Sequence, residues 1–152
     1  MKKILLIAAI LVTTLSTIAQ IQVGRSGKSQ QDILNEKYCS SIFRSAHGTI
    51  FDIENENVQA YFNILDWLEG RVAGLQVYVG RMGIRFPVIR GTIASIFVDE
   101  MRMDPTFLNT LSVNDVAMIK VIKGPFVGAI GNGGGGGTIA IYTFRGDEEE
   151  EE

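Results

Sequence analysis

The chain has 152 residues, of which 46% are hydrophobic by type, and a formal net charge of −3. From this length and apolar content we expect one modest hydrophobic core and no second domain. One histidine and one cysteine are too few ligands for a typical zinc site, and the charge balance indicates no nucleic-acid surface.

The first nineteen residues have the pattern of a secretory signal peptide. Lys2-Lys3 provide a charged start, Ile4–Leu15 is apolar apart from two threonines, and Thr17–Ala19 has small side chains at its two ends. A membrane anchor is disfavoured, because crossing ~30 Å of hydrocarbon takes about 20 apolar residues. We therefore predict that residues 1–19 are a signal peptide, cleaved before Gln20.

Residues 20–56 are predicted to form an N-terminal tether and a poorly ordered segment. Gln20–Gln31 is polar and contains two glycines and two serines, a composition typical of flexible linkers. A short helix is expected over Asp32–Tyr38, with Asp32 as its cap. Ile50-Phe51 is an apolar pair in polar sequence and is interpreted as a short strand or a loop.

Asn57–Ala73 is predicted to be the main helix, and it opens a domain that spans residues 57–146. Asn57 suits the N-cap position, and Gly74 follows the last turn, where a left-handed cap is common. Trp67 is expected to cover the edge of the apolar face. That face is defined by residues that recur every three or four positions, namely Val58, Tyr61, Phe62, Leu65, Leu68 and Val72.

After Gly74 the apolar period changes from helical to strand-like. Pro87 lacks a backbone N–H, which predicts an edge position or a bulge for its strand. The pattern predicts an α+β fold, with a small mixed β-sheet, one main helix and short helical turns. The expected strands are Leu75–Val79, Ile84–Ile89, Ser95–Val98 extending toward Met103, Ile119–Ile122 and Thr138–Thr143, and the expected helical turns are Pro105–Leu111 and Ser112–Ala117.

The glycine-rich segment before the last strand matches G-x-G-x-x-G literally at Gly131–Gly136. A dinucleotide-binding loop needs a helix after the glycines, because the helix N-terminus holds the pyrophosphate. Thr138–Thr143 instead has a strand pattern, and no Lys-Ser or Lys-Thr pair follows the glycines, which argues against a Walker A loop. A tight turn, or a backbone that passes close to another part of the molecule, is the favoured interpretation.

Lys123-Gly124-Pro125 predicts a corner at the end of the fourth strand. Together with the glycine-rich segment and the final strand, this corner resembles the end of the plug domain of TonB-dependent outer-membrane receptors. At Asp99-Glu100, the family usually has the Asp-Gly pair of a V-D-G turn, so Glu100 stands in the place of the glycine. The resemblance covers Asn63–Gly146. Three further phrases occur in the family's order: L-D-W-L-E-G-R-V-A-G-L-Q-V-Y-V at Leu65–Val79, which resembles a passage of the SusC/RagA-like subgroup, I-R-G at Ile89–Gly91, and I-F-V-D-E-M-R-M at Ile96–Met103.

The resemblance implies a plug-domain-like fold and a non-enzymatic role at TonB-dependent uptake receptors, in the outer membrane or periplasm of a Gram-negative cell. In this family the plug fills a β-barrel, so an outer-membrane barrel or a periplasmic protein is the implied partner. The sequence ends six residues after Gly146, and we expect a standalone or truncated plug without its barrel. No TonB box is recognisable in Gln20–Asp32, which argues against TonB coupling through this chain.

The resemblance also implies a set of structural plug-motif residues and no cofactor. Arg71, Arg90 and Lys123 are the cations expected near the glycine corner. In the family such groups help to hold the plug inside the barrel, and the alternative is that they are ordinary surface charges or structural anchors. The full set is Gly70, Arg71, Gly74, Arg90, Gly91, Asp99, Lys123, Gly124, Pro125, Gly131 and Gly137.

A second hypothesis, from another class, is a small periplasmic enzyme or metal-binding protein that uses Cys39 and His47. Too few further ligands lie at suitable spacing, so a surface or loop position is favoured for His47. Cys39 has no second cysteine to pair with, and a buried or incidental thiol is favoured. Asp99 and Glu100 are expected to be neighbours on one strand, pointing to opposite faces, which argues against a paired acid and base.

Asp147–Glu152 is an acidic tail with six negative charges. Without it and the two lysines of the predicted signal peptide, 12 basic and 11 acidic residues remain, so the body of the chain is near neutral. A block of like charges repels itself and stays disordered. We therefore favour a solubilising tail over an arm that binds a basic partner.

Overall fold

The computed structural model describes residues 28–58, 60–124 and 136–144. The predicted signal peptide, the acidic tail, Pro125 and Gly131 lie outside these described residues. Within the described ranges, every helix is too short or too polar to cross a membrane.

The described residues form short helices and two β-sheets, which confirms the predicted α+β fold. Short 3₁₀ helices connect several of these elements, at Arg81–Gly83, Pro105–Asn109 and Val113–Asp115. In chain order the helices and strands are α1 (Gln30–Tyr38), α2 (Ser41–Ser45), β1 (Thr49–Asp52), α3 (Ile64–Leu68), β2 (Leu75–Val79), β3 (Arg85–Ile89), β4 (Thr92–Ile93), β5 (Ser95–Val98), β6 (Met101–Met103), β7 (Val116–Ile122) and β8 (Thr138–Thr143).

The larger sheet is mixed and has five strands in the order β1-β7-β8-β5-β6. Its pairs are antiparallel except for β5 and β8, which run parallel with Phe97 opposite Ala140. Strands β7 and β8 lie inside the sheet, and every residue of β7 is buried. A strand that is covered on both faces has a nearly continuous apolar sequence, as V-A-M-I-K-V-I shows.

The two faces of the larger sheet carry separate hydrophobic clusters, because successive side chains of a strand point to opposite faces. One face of the sheet, called here the apolar face, is covered by α3, β2 and β3, and includes Ile96, Val98, Ile119, Val121, Ile139 and Ile141. The other face is covered by residues 30–46, called here the N-terminal arm, through Leu34, Tyr38, Cys39, Phe43 and Ala46. This second face is called here the arm face, and it includes Phe97, Met118, Ile122, Ala140 and Tyr142.

Strands β2, β3 and β4 form the smaller, antiparallel sheet in that order. Pro87 lies in its middle strand, opposite Val77, so the predicted edge or bulge position is wrong. Strand β4 pairs only with Val88 and Ile89, and on that side the ladder does not reach Pro87. The proline uses its carbonyl oxygen instead, which accepts a hydrogen bond of 2.9 Å from the Ala94 N–H.

The predicted main helix over Asn57–Ala73 is wrong, because α3 covers only Ile64–Leu68. The N-cap is Asn63, whose side-chain oxygen accepts a hydrogen bond of 2.8 Å from the Leu65 N–H. Phe62, expected on the apolar face of a longer helix, is fully exposed. The apolar residues of this segment recur every three or four positions because the short helix and the irregular chain on either side of it bury their side chains in the same hydrophobic cluster.

The segment predicted to be a tether and poorly ordered chain contains, in its described part, α1, α2 and β1. Helix α1 begins at Gln30, two residues before the expected start at Asp32. Strand β1 pairs with β7, with Phe51 opposite Ile119. A nine-residue helix is marginal by itself in water, so this order comes from packing on the sheet, which a local polar composition does not reveal.

Strands β5 and β6 form a hairpin, where the sequence predicted one strand extending toward Met103. The chain reverses at Asp99 and Glu100, whose φ angles are +47 and +67, and Val98 pairs with Met101. Two left-handed residues in a two-residue hairpin loop match the twist of the flanking strands. The two carboxylates therefore lie in a turn, and the expectation that they alternate along a strand is wrong.

Candidate functional site

The predicted glycine corner begins where β7 ends. Lys123 directs its Nζ atom to the carbonyl oxygen of Ala73, at 2.5 Å. Gly124 follows with φ +135, a backbone angle that a side chain would strain. Burial lowers the pKa of Lys123, and the charge of Arg90 lowers it further. Lys123 and Arg90 bond to the carbonyl oxygens of two consecutive residues, Ala73 and Gly74, and this pair of cations is called here the cationic corner.

Arg90 and Gly91 form the turn between β3 and β4. Both have left-handed backbone angles, with φ +53 and +78, as a two-residue hairpin loop requires. The N–H of Arg90 donates a hydrogen bond of 3.4 Å to the carbonyl oxygen of Gly74. Gly74 is itself left-handed, with φ +76, so the turn is attached to the same loop that provides the acceptor for Lys123.

The end of the glycine-rich segment passes against this turn. A Cβ atom at Gly136 would lie 2.5 Å from the carbonyl oxygen of Ile89 and 2.9 Å from the Cβ of Thr92. A Cβ at Gly137 would lie 2.8 Å from Cδ1 of Ile89. Distances below 3.0 Å are not compatible with packed heavy atoms. The glycines at these two positions therefore permit a close backbone approach, as the sequence predicted for part of the segment.

Arg71 packs on two aromatic side chains that precede it in the chain. Its guanidinium lies 4.6 Å from the ring centroid of Trp67 and donates a hydrogen bond of 2.9 Å to the Trp67 carbonyl oxygen. The same group lies 5.2 Å from the ring of Tyr61. Trp67 is fully buried and does not cover an edge. Gly70, with φ +83, turns the chain after α3 and places Arg71 over this ring.

The Asp99–Glu100 turn connects the larger sheet to the N-terminal arm. Asp99 accepts hydrogen bonds from the Thr143 backbone N–H at 3.0 Å and from its hydroxyl at 2.7 Å. Glu100 accepts hydrogen bonds from the Ser40 backbone N–H, at 2.5 Å, and from the Ser40 hydroxyl. The hydroxyl of Tyr142 also donates to Glu100, at 3.3 Å. A glutamate at a turn position that suits glycine thus ties the arm to the sheet.

Cys39 and His47 do not share a site. Cys39 is 1% exposed, and burial raises the pKa of its thiol, partly offset by a hydrogen bond with Tyr142. His47 is exposed and lines a surface cavity. Across residues 28–58, 60–124 and 136–144, no group of three or more histidine, cysteine or acidic residues could hold a metal ion.

Lys120 is a buried charged residue to which the sequence analysis gave no role. It is 1% exposed, and its Nζ donates hydrogen bonds to Asn35 Oδ1 at 2.5 Å and to the Phe43 carbonyl oxygen at 2.6 Å. The sequence could have indicated a buried lysine here, because Lys120 stands between Ile119 and Val121 in an otherwise apolar strand. A lysine in a strand covered on both faces needs polar partners on the covering layer.

Comparison with known proteins identifies the class of this fold. The family model described as TonB-dependent receptor plug domain matches residues 45–138. No curated protein sequence matches the chain significantly. This match covers more than half of the chain, including most of the larger sheet. The chain belongs to the family of TonB-dependent receptor plug domains.

Solved structures show the same fold inside much longer chains. The siderophore receptor PirA from Acinetobacter baumannii is 21% identical, with a TM-score of 0.54, over 64% of this chain and 17% of that chain. The RagAB peptide transporter is 25% identical, with a TM-score of 0.54, over 70% of this chain and 13% of that chain. The ferric enterobactin receptor PfeA in complex with BCV-L6 is 22% identical, with a TM-score of 0.53, over 64% of this chain and 17% of that chain. The chain thus spans less than a fifth of these receptors.

Proposed function

We propose that this chain is an exported, non-enzymatic plug module that works with a TonB-dependent uptake receptor of the SusC/RagA-like subgroup at the outer membrane. The observation that carries the proposal is the family match over residues 45–138. The passage at Leu65–Val79 and the likeness to the RagAB peptide transporter support the subgroup. The pattern of residues 1–19 supports export.

The partner we propose is a β-barrel wall that supplies carboxylates to the cationic corner. Lys123 donates to a neutral carbonyl oxygen, and among the described residues neither it nor Arg90 forms an ion pair. Two like charges held side by side repel each other, and the pKa of Lys123 is lowered accordingly, first by burial and then by Arg90. An acidic group from a partner would relieve both effects, which favours docking through this surface.

A catalytic or metal-binding function receives less support. The Cys39 thiol is buried and its pKa is raised, whereas a nucleophilic cysteine requires a lowered pKa and access to substrate. The groups that act on this thiol are Tyr142, Lys120, Glu100 and Arg44, and His47 is not among them.

The test is to tag the chain at its C-terminus, fractionate cells and identify the proteins that co-purify from detergent-solubilised outer membrane. We expect a β-barrel receptor to co-purify. A monomer confined to the soluble periplasm would overturn the proposed partnership and show that the plug fold is used without a barrel.

The docking surface is tested by matched pairs of charge removals. Arg90→Gln with Lys123→Gln should reduce co-purification of the barrel protein. The control is Arg81→Gln with Arg102→Gln, two exposed cations elsewhere, which should leave it unchanged. Equal loss from both double variants would contradict docking through the cationic corner.

A further inference from the structure

A surface cavity of about 350 Å³ opens where the N-terminal arm meets the larger sheet. Its lining comes from α1, the end of α2, the loop before β1, β1 itself and β7, and includes Asp32, Asn35, Arg44, His47, Ile50 and Lys120. Cavities of roughly this size hold small organic molecules. It lies apart from the residues of the cationic corner, none of which lines it.

Lys120 is the buried cation among the residues that line this cavity. Its two hydrogen-bond acceptors, Asn35 Oδ1 and the Phe43 carbonyl oxygen, are both neutral. An ammonium group has three N–H donors, so one remains after these two bonds. A charge that is taken out of water is stabilised most by an opposite charge, and neither acceptor provides one.

Within residues 28–58, 60–124 and 136–144, the oxygens that accept hydrogen bonds from Lys120 Nζ belong to an amide side chain and a backbone carbonyl, and neither is a carboxylate. Burial lowers its pKa, and the one group that acts in the opposite direction is the Cys39 thiol. Arg44, a second cation of the lining, donates its hydrogen bonds to the carbonyl oxygens of Cys39 and Glu36. Within the described ranges, the two cations of the cavity are thus hydrogen-bonded to uncharged oxygens.

We propose that this cavity binds the carboxylate group of a small organic acid, with Lys120 Nζ as the charged donor. The ligand carboxylate accepts the remaining N–H of Lys120 and compensates its buried charge, and the rest of the ligand occupies the space toward Ile50. A single negative charge fits better than a phosphate dianion, because Asp32 also lines the cavity and repels additional negative charge.

The test is a titration of the purified, isotope-labelled chain followed by NMR. Sodium benzoate is the probe, its uncharged analogue benzamide is the ligand control, and inorganic phosphate is the anion control. We expect benzoate to shift the amide signals of Asn35, His47 and Ile50 saturably, and benzamide and phosphate to bind more weakly by about tenfold or more. Equal binding of benzamide, equal binding of phosphate, or no saturable shift would each overturn the proposal.

Two variants assign the effect to Lys120. Lys120→Met removes the charge, and Asn35→Asp supplies an internal carboxylate beside Nζ with almost no change in shape. Both should weaken benzoate binding by about tenfold or more, whereas Lys123→Met, a lysine at the other site, should leave it unchanged. If Lys120→Met fails to fold, Asn35→Asp decides alone, and undiminished benzoate binding in that variant would overturn the proposal.

Discussion

The two faces of the larger sheet are held by different kinds of interaction. The apolar face is covered by α3 and the smaller sheet through aliphatic side chains and one buried tryptophan. The arm face also has a hydrophobic cluster, but two charged side chains form hydrogen bonds across it: Lys120 with Asn35 and Phe43, and Glu100 with Ser40. Hydrophobic contact is non-directional, whereas hydrogen bonds fix geometry. The first face thus provides most of the stability, and the second fixes how the arm is placed.

The largest expected effect tests that difference with two isoleucines of the same strand. Ile119 lies on the apolar face and Ile122 on the arm face, and both are at most 1% exposed. Replacing either with alanine should lower the free energy of unfolding by about 2–5 kcal/mol. We expect the greater loss for Ile119→Ala, because two sheets collapse around a cavity less readily than a short helical arm does.

Urea unfolding of the two variants beside the unmodified chain measures this difference. Equal losses, or a greater loss for Ile122→Ala, would show that the arm packs as rigidly as the smaller sheet. The comparison between the faces would then rest on their polar contacts alone.

The next effect concerns how closely the two sheets approach each other on the apolar face. Gly137→Ala places a methyl group 2.8 Å from Cδ1 of Ile89, and this overpacking should cost about 1–3 kcal/mol. In an Ile89→Val background that Cδ1 atom is absent, so the same glycine substitution should cost less. A double-mutant cycle measures the coupling. Additive losses would show that the close approach is relieved by movement of the chain and not by the Ile89 side chain.

The polar contacts of the arm face should have a smaller and more local effect. Glu100→Gln weakens the hydrogen bonds to Ser40, at a cost of about 0.5–1.5 kcal/mol, and keeps the left-handed turn occupied by a side chain of the same length. We expect faster amide hydrogen exchange in residues 30–46 and unchanged exchange in β7.

The neighbouring residue of the same turn provides the control. Asp99→Asn alters the contacts to Thr143 in β8 and should leave exchange in the arm unchanged. If both variants accelerate exchange in the arm equally, the turn acts as a unit, and Glu100 has no specific role in holding the arm.

The sequence was more informative about the apolar face than about the arm face, for physical reasons. Strands such as Leu75–Val79 and Thr138–Thr143 were predicted with their observed bounds, because burial imposes a pattern on consecutive residues. The prediction of a helix over Asn57–Ala73 was wrong because irregular chain can also bury side chains at helical spacing. Asn63 is as good an N-cap residue as Asn57, and propensity alone does not choose between them.

The contacts of the candidate sites depend on residues far apart in the chain, which local patterns do not reveal. Arg71, Arg90 and Lys123 were all expected near the glycine corner. Lys123 and Arg90 bind neighbouring backbone carbonyls, those of Ala73 and Gly74, whereas Arg71 lies on Trp67. The pairing of Lys120 with Asn35 joins residues 85 positions apart. The one indication of this pairing in the sequence was a lysine in the otherwise apolar strand β7. Its partner, Asn35, lies in the segment that was predicted to be poorly ordered.

The smallest predicted effect is a pH dependence that originates at the centre of the arm face. Burial raises the pKa of the Cys39 thiol above its ordinary value of 9.0. As pH rises past 9.0 the unfolded chain loses this proton while the folded chain keeps it, so the unfolded state is favoured and the stability falls. Below that pH both states are protonated, and the thiol contributes no slope.

Cys39→Ala removes this contribution, so the difference in unfolding free energy between the unmodified chain and the variant should decrease as pH is raised from 8 to 10, by at most about 1.4 kcal/mol per pH unit. Tyr142, whose pKa is also raised by burial, remains in both proteins, and its own effect is largely subtracted. Parallel stability curves would mean that the thiol ionises as readily in the folded chain as in the unfolded one. That result would mean that water reaches Cys39 in the folded chain, so the polar contacts of the arm face do not hold the arm against the sheet. Converging curves would mean that these few hydrogen bonds are sufficient to keep water out of a face with a small apolar cluster.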